Sequence, residues 1–459
     1  MEKFARILFF ASLSAVALGA AFMYGVLAHR NDLPPMPTIR AVSDVLRNGV
    51  HLRSAANEHL QPARGQGDGV VRDATQDDHL VLMVGFFEGE NQARLVERDG
   101  TVQHRWSLDY LQHFPDESRR VCDYVRNPLE VDMHGALVTG AGELVFNYEY
   151  CGTVKLDQCG AVQWTIADGT HHSMSRAEAG GYWLLGRDAW STREQPGRFP
   201  PFSAASSPGF VQEDTVMRVS EAGEVLEEFS IPQAMRASGL LPLLTATGDN
   251  FTRLDGGRAE LVHANKVTEL TTDLADAFPL FEAGDLAISM RELNLVLVLD
   301  GETREVKWHQ TGPWLRQHDP EFRPDGRISI FNNNVFRNAY FTGEKTDLSG
   351  PFATNIMVID PVTRQTEVVF GERPGEEMLS VIRGQHELLP GGGMIITEFD
   401  AGRVIEVDAR GRIVWDYVNR HDADSVGEIS DARVYPRSHF EAGIPGETLG
   451  QDPGWDPLA

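Results

Sequence analysis

From about residue 78 the chain runs six times through the same order of parts, and this repetition constrains the fold more than any other feature. A strand opens each unit and a Gly-containing turn follows. An apolar strand comes next, then a third strand ending in Asp or a substitute, a short Gly turn and a closing aromatic. The closers are Trp106, Trp164, Phe229, Trp308, Phe370 and Trp415, spaced from 45 residues (Phe370 to Trp415) to 79 (Phe229 to Trp308). Central strands read as Leu80–Phe86, Glu143–Tyr148, Tyr182–Arg187, Leu286–Arg291, Arg327–Phe331 and Met394–Phe399. They are short, rich in Val, Ile, Leu and aromatics, and bounded by Gly, Asp or Pro. Helical periodicity after residue 78 is confined to Leu240–Leu244 and Thr271–Ala277. Strand units repeated without intervening helices predict an all-β chain, a six-bladed β-propeller whose radial repetition protects strand edges. The closing tryptophans should be buried between neighbouring blades. A seven-bladed ring using residues 41–77 is the alternative.

The histidines fall in register with these units. His134, His172, His263, His318 and His386 each sit on the strand that opens a unit. The first strand of a propeller blade is the innermost, so five imidazoles are expected around one axial cavity. His171 lies beside His172, and Asn265 is expected on the same side of its strand as His263, which it could orient. Arg291, at the end of a central strand, is a permanently charged fork suited to a tetrahedral oxyanion. The net charge of −26 (41 basic against 67 acidic residues) makes such a local positive group necessary for any anionic substrate. The same surplus of acid speaks against a nucleic-acid partner, which needs excess Lys and Arg.

Ile7 to Ala28 contains no charged residue and, at 22 residues, is long enough to cross a bilayer as a helix. Residues 1–30 are therefore expected to be a transmembrane anchor. A cleaved signal peptide, with Ala15-Val16-Ala17 as a small-x-small pattern, is the alternative. Either reading exports the rest: a stalk at 31–77 with a helix near Ala41–Leu52, the propeller at 78–420, and a C-terminal extension at 421–459. The propeller would then lie in the periplasm or at the cell exterior. Three cysteines leave the pairing open between Cys151–Cys159, Cys122–Cys151 and three free thiols.

Taken together, His171-His172-Ser173, His263-Ala264-Asn265, Gly284-Asp285 through Ser289-Met290-Arg291, and Gln317-His318-Asp319 with Phe331-Asn332-Asn333 resemble the bacterial arylsulfotransferase family. Gln385-His386-Glu387-Leu388-Leu389-Pro390, Glu406-Val407-Asp408 and Ile413-Val414-Trp415 extend the resemblance across roughly residues 78 to 420. It implies transfer of a sulfuryl group from an aryl sulfate to a phenol, without a nucleotide donor, through a sulfated histidine. On that pattern His318 is the nucleophile, and His263, Arg291 and His172 surround the sulfate oxygens. Asn265, His171, His134 and His386 would line the substrate site. No metal and no cofactor are called for. One departure is Phe331-Asn332-Asn333-Asn334, where the family tends to have an Asp-Asn-Gly turn. Two other function classes compete. One is a metal-dependent lyase or hydrolase using the channel histidines. The other is a non-catalytic binding propeller using the Pro-rich Thr192–Gly209 insertion and the Pro351–Asn355 loop.

Overall fold

Each repeating unit folds into a four-stranded antiparallel sheet whose strands follow one another from the axis outward, and six such sheets form the propeller. The computed structural model describes residues 58–65, 67–191, 210–245, 258–335, 350–441 and 443–446, with isolated positions 6, 24, 56, 195 and 198. The recurring Asp has a local cause. Its carboxylate accepts the backbone N–H two residues on, which closes the turn between third and outer strands. Asp99 does this with Thr101 (2.9 Å), Asp157 with Cys159 (2.8 Å), Asp300 with Glu302 (2.9 Å), Asp360 with Val362 (2.8 Å) and Asp408 with Arg410 (2.9 Å). In the third blade the Ser220 hydroxyl substitutes, accepting from Glu224 N (3.1 Å).

The closing aromatics lie on the outer strands and join the blades. Each tryptophan donates its indole N–H to a carbonyl in the next blade's turn: Trp106 to Asp157, Trp164 to Glu221 and Trp308 to Pro361 (each 3.0 Å), and Trp415 to Arg98 (2.8 Å). Trp106, Trp308 and Trp415 are buried as expected. Trp164 is only half-buried, because its ring rests on Gly223, which has no side chain to cover it.

The ring closes with its C-terminal strand. Ile429–Tyr435 pairs with Leu80–Phe87 and is the innermost strand of the first blade. The propeller thus reaches past residue 420 into the stretch read as an extension. Gly69–Asp73, read as stalk, adds an outer fifth strand to the sixth sheet by pairing with Ile413–Val418. Leu60–Pro62 pairs with Ser425–Gly427 rather than contributing to a seventh blade. The helical stretches are short, among them Tyr110–His113, Ile231–Ala237 capped by Ser230, a 3-10 turn at Leu241–Thr245, and Thr272–Ala275. Among the described residues no helix is long and apolar enough to cross a membrane. The anchor, the Ala41–Leu52 helix and most of Thr192–Gly209 lie outside the described residues. Cys122 and Cys151 form a disulfide and Cys159 is free and exposed.

His59 ties the segment before the first blade to the ring. Its Nδ1 meets Glu428 Oε1 at 2.7 Å and its Nε2 meets the Leu129 carbonyl at 2.9 Å, so both nitrogens donate and the ring is an imidazolium. Burial pulls its pKa down, but Glu428, Asp132 and the carbonyl outweigh that and raise it to about 9. The folded-state value lies above the unfolded one, so the contribution is complete below pH ~6.5 and is lost as pH rises through about 9. Denaturant titrations should show the wild type losing up to ~3 kcal/mol across that window through this group. In His59→Gln that part of the slope should vanish, and an unchanged slope would refute the assignment.

Candidate active site

The inner strands are stitched to one another by buried side chains that cap backbone groups, and this stitching sets the histidines. Asp431 accepts from Ala136 N, Asp214 from Ala264 N, and Asp319 from His386 N, each at 2.7 Å. Asn147 donates to the His172 carbonyl (2.9 Å) and Asn265 to the Gln317 carbonyl (2.8 Å). Bulges interrupt the pairing of inner with second strands at the start of the second, third, fourth and fifth blades. His172 (φ 56°) and His263 (φ 52°) adopt left-handed backbone there. A bulge of this kind turns a side chain off the strand face toward the end of the channel. Gly135 permits close approach of the second and third blades, since a Cβ would stand 2.6 Å from Met174 N and 2.7 Å from Ser173 Cα.

Four of the five register histidines meet. The His172 ring centroid lies 4.5 Å from His134, 4.9 Å from His263 and 6.4 Å from His318. His386 does not join them. Its Nε2 pairs with Ser329 Oγ (2.7 Å) and its Nδ1 lies 3.0 Å from Asp319, so it holds the fifth and sixth blades together. Asn265 likewise does not orient His263; it fixes the carbonyl before His318. His171 is buried beneath His172, its Nε2 on the Gly186 carbonyl (3.1 Å). Beside the cluster lies a cavity of about 350 Å³ whose lining includes His172, His263, Arg291, Arg187, Arg383, Tyr150, Glu149 and Glu260. A cavity of about 370 Å³ at the other end of the inner strands contains none of the expected site residues.

Hydrogen-bond partners fix which imidazole nitrogen carries the proton. Asn333 donates its amide to the Ser380 (2.9 Å) and Arg383 (2.7 Å) carbonyls, so its Oδ1 must accept from His318 Nδ1 at 2.7 Å. His318 Nε2 is left with a lone pair, buried and without a hydrogen-bond partner. His171 donates Nε2–H to Gly186, so in its neutral form its Nδ1 accepts from His172 Nδ1 (2.7 Å), and the lone pair of His172 is on Nε2. His263 donates Nδ1–H to Glu260 (2.7 Å); Arg291 Nη2, 3.3 Å from that nitrogen, faces a protonated atom and makes no second bond to it. The family resemblance set His172 and His263 around the sulfate oxygens. With these partners the neutral His172 ring presents a lone pair at Nε2.

Burial sets the charge states. Burial, with Arg291 nearby, pulls His318 down to about 3. Burial also lowers His171, His172 and His134, helped respectively by Arg187, neighbouring imidazoles and Arg383. The positive groups are guanidiniums, each held by carboxylates. Arg187 contacts Asp214 (2.9 Å) and Glu260, Arg291 contacts Glu292 (3.0 Å), and Arg383 contacts Asp132 and Glu149. Burial opposes ionisation of Glu149, yet Arg383 and His134 hold its carboxyl well below the usual range.

The arrangement is a buried imidazole cluster, with His172 and His263 lining a cavity that also carries Arg187, Arg291 and Arg383, and His318 packed behind it. The sequence profile described as arylsulfotransferase (ASST) matches residues 134–420. The chain belongs to the arylsulfotransferase family. No curated protein matches it. Among solved structures it is similar to a protein of unknown function from Bacteroides caccae. That match has 13% identity and a TM-score of 0.47, covering 78% of this chain and 99% of that one. It is also similar to an inactive virginiamycin B lyase from Staphylococcus aureus solved with quinupristin (10% identity, TM-score 0.37, 78% and 87% covered). Within this arylsulfotransferase-family cavity, sequence reasoning missed Glu149, Tyr150, Arg187, Glu260 and Arg383. A signal existed for some of them. Glu149, Arg291 and Asn333 all follow directly on a blade's second strand, and Arg187 lies in the same part of a longer one.

Proposed function

We propose that the protein is an exported arylsulfotransferase that moves a sulfuryl group from an aryl sulfate to a phenol through a sulfohistidine at His318. One observation carries this reading: His318 Nε2 holds an unpartnered lone pair at the buried histidine cluster, its tautomer locked by Asn333. In the first step that lone pair attacks sulfur. The N–S bond forms, the S–O bond to the aryl oxygen breaks, and phenolate leaves with the electron pair. Asn333 Oδ1 accepts Nδ1–H while the ring carries positive charge. In the second step the acceptor phenol oxygen attacks sulfur, gives its proton to solvent, and the N–S electron pair returns to Nε2. Arg291 stabilises charge on the sulfuryl oxygens as a preorganised donor. The Cys122–Cys151 disulfide supports export, because such bonds persist in oxidising compartments. The N-terminal apolar run would tether the propeller outside the cytoplasmic membrane.

A screen with 4-nitrophenyl sulfate and a series of phenols tests the reading. Parallel double-reciprocal lines are expected, as two-step transfer requires; intersecting lines would contradict a free sulfo-enzyme. The pH dependence is a second check. With His318 held near 3, the single-turnover rate of nitrophenol release should change less than ~2-fold between pH 8 and 5 through this group. An ordinary imidazole would lose about 30-fold over the same range. A rate falling in step with a group near 6.5 would rule out the neutral, buried nucleophile.

A further inference from the structure

The cavity wall carries three guanidiniums (Arg187, Arg291, Arg383) and two carboxylates (Glu149, Glu260). Counted with the ion-pair partners behind that wall (Arg316 against Asp132, Asp214 and Glu292), the local balance is −1 before any imidazole is counted. Three imidazoles (His172, His263, His318) have Nδ1 engaged and leave Nε2 unprotonated when neutral, and a free imidazole lone pair suits a Lewis acid. Three of these side chains form a compact set. His134, Glu149 and His172 each offer a ligand atom, all within 4.8 Å of one another. His134 Nε2 stands 3.4 Å from Glu149 Oε2. Tetrahedral zinc with bonds near 2.1 Å separates neighbouring ligand atoms by about 3.4 Å. His134 is 4% exposed and its Nε2 makes no hydrogen bond.

The surroundings are those of a ligand set. A metal-bound imidazole characteristically donates its other N–H to an acceptor that fixes the ring. His172 does so through His171, which in turn bonds the Gly186 carbonyl. Arg383 fixes Glu149, and its charge is shared with Asp132. His318 is not required as a ligand, since its ring lies 6.4 Å from His172.

We propose that His134, Glu149 and His172 hold one divalent transition-metal ion of the zinc class, leaving a coordination position open to the cavity. Imidazole and carboxylate donors suit zinc, and three protein ligands with one open position is the pattern of sites that bind a further oxygen ligand. The ion changes the local balance from −1 to +1, which one sulfate monoester neutralises; only this last role rests on the sulfuryl-transfer reading.

Full-length protein purified without a metal-affinity step, treated with chelator and dialysed, is titrated with Zn²⁺ against a chromogenic chelator. Co²⁺ is added in parallel to read the visible bands of a tetrahedral site. The proposal expects one ion per chain and an affinity drop on the order of 100-fold or more in His134→Ala and in the near-isosteric Glu149→Gln. Cys159→Ser, which removes the exposed thiol, should bind as the wild type does. Thermal melts of each variant without metal separate loss of ligands from loss of fold, and zinc should raise the melting temperature only where the trio is intact. Absence of a stoichiometric ion, or equal affinity in wild type and Glu149→Gln, overturns the proposal. The readout is independent of transfer: zinc binding without any sulfated protein would leave the site standing and remove the proposed activity.

Discussion

Replacing His318 by Ala is expected to lower aryl sulfate turnover by on the order of 10⁴- to 10⁶-fold, the scale of losing a covalent nucleophile. The effect is chemical rather than structural. The ring's only hydrogen-bonding atom is Nδ1, on Asn333 Oδ1 (2.7 Å) and the Arg316 carbonyl (3.1 Å), while Nε2 bonds nothing. Truncation therefore leaves Asn333 Oδ1 short of a donor but leaves its amide bonds to Ser380 and Arg383 in place. Asn333→Ala should be milder, roughly 10- to 100-fold, as when the partner orienting an imidazole is lost. The order of the two effects is the informative part. If Asn333→Ala were as damaging as His318→Ala while folding normally, the asparagine would have a direct role in the chemistry.

Trp415→Ala should cost the propeller ~3–5 kcal/mol, the usual penalty for emptying a buried aromatic site. Trp415 is fully buried, stacks on Tyr417 at 5.7 Å and donates to the Arg98 carbonyl. It is the aromatic that joins the sixth blade to the first, so its loss weakens the seam where the ring closes. Trp164→Ala makes the natural control, because the same indole bond is present but the ring is half-exposed over Gly223. Urea unfolding should rank Trp415→Ala well below Trp164→Ala in stability. Equal losses would mean that the indole hydrogen bond both share, rather than burial of the ring, carries the contribution.

The fold was readable because its causes are local. An Asx turn needs one Asp, a blade needs short apolar strands, and a closing indole needs a turn carbonyl; each leaves a residue at a fixed offset. The inner position of the histidines followed from the same register. Closure was not readable, because nothing local in Ile429–Tyr435 distinguishes it from a tail; its place depends on pairing with Leu80–Phe87, about 350 residues away. Within the site, His386 failed because a strand position defines a face but not what the next blade presents to it. Asp319 and Ser329 claim that ring. Glu260 escaped because it lies on the three-residue strand Arg258–Glu260, which belongs to no repeat and pairs parallel to Phe210–Val219. The proton positions on His172, His263 and His318 were out of reach for a different reason: they depend on the Gly186 carbonyl, Glu260 and Asn333, and so on the assembled ring.

Intact-mass analysis of the wild type after a brief exposure to aryl sulfate without acceptor tests the central claim most directly. The account predicts a species about 80 Da heavier, one sulfuryl group added by covalent catalysis. Peptide mapping should place it on His318, and it should be acid-labile and discharged by added phenol. An adduct on another residue, or turnover of the donor with no trapped adduct at all, would contradict His318 as the sulfuryl carrier.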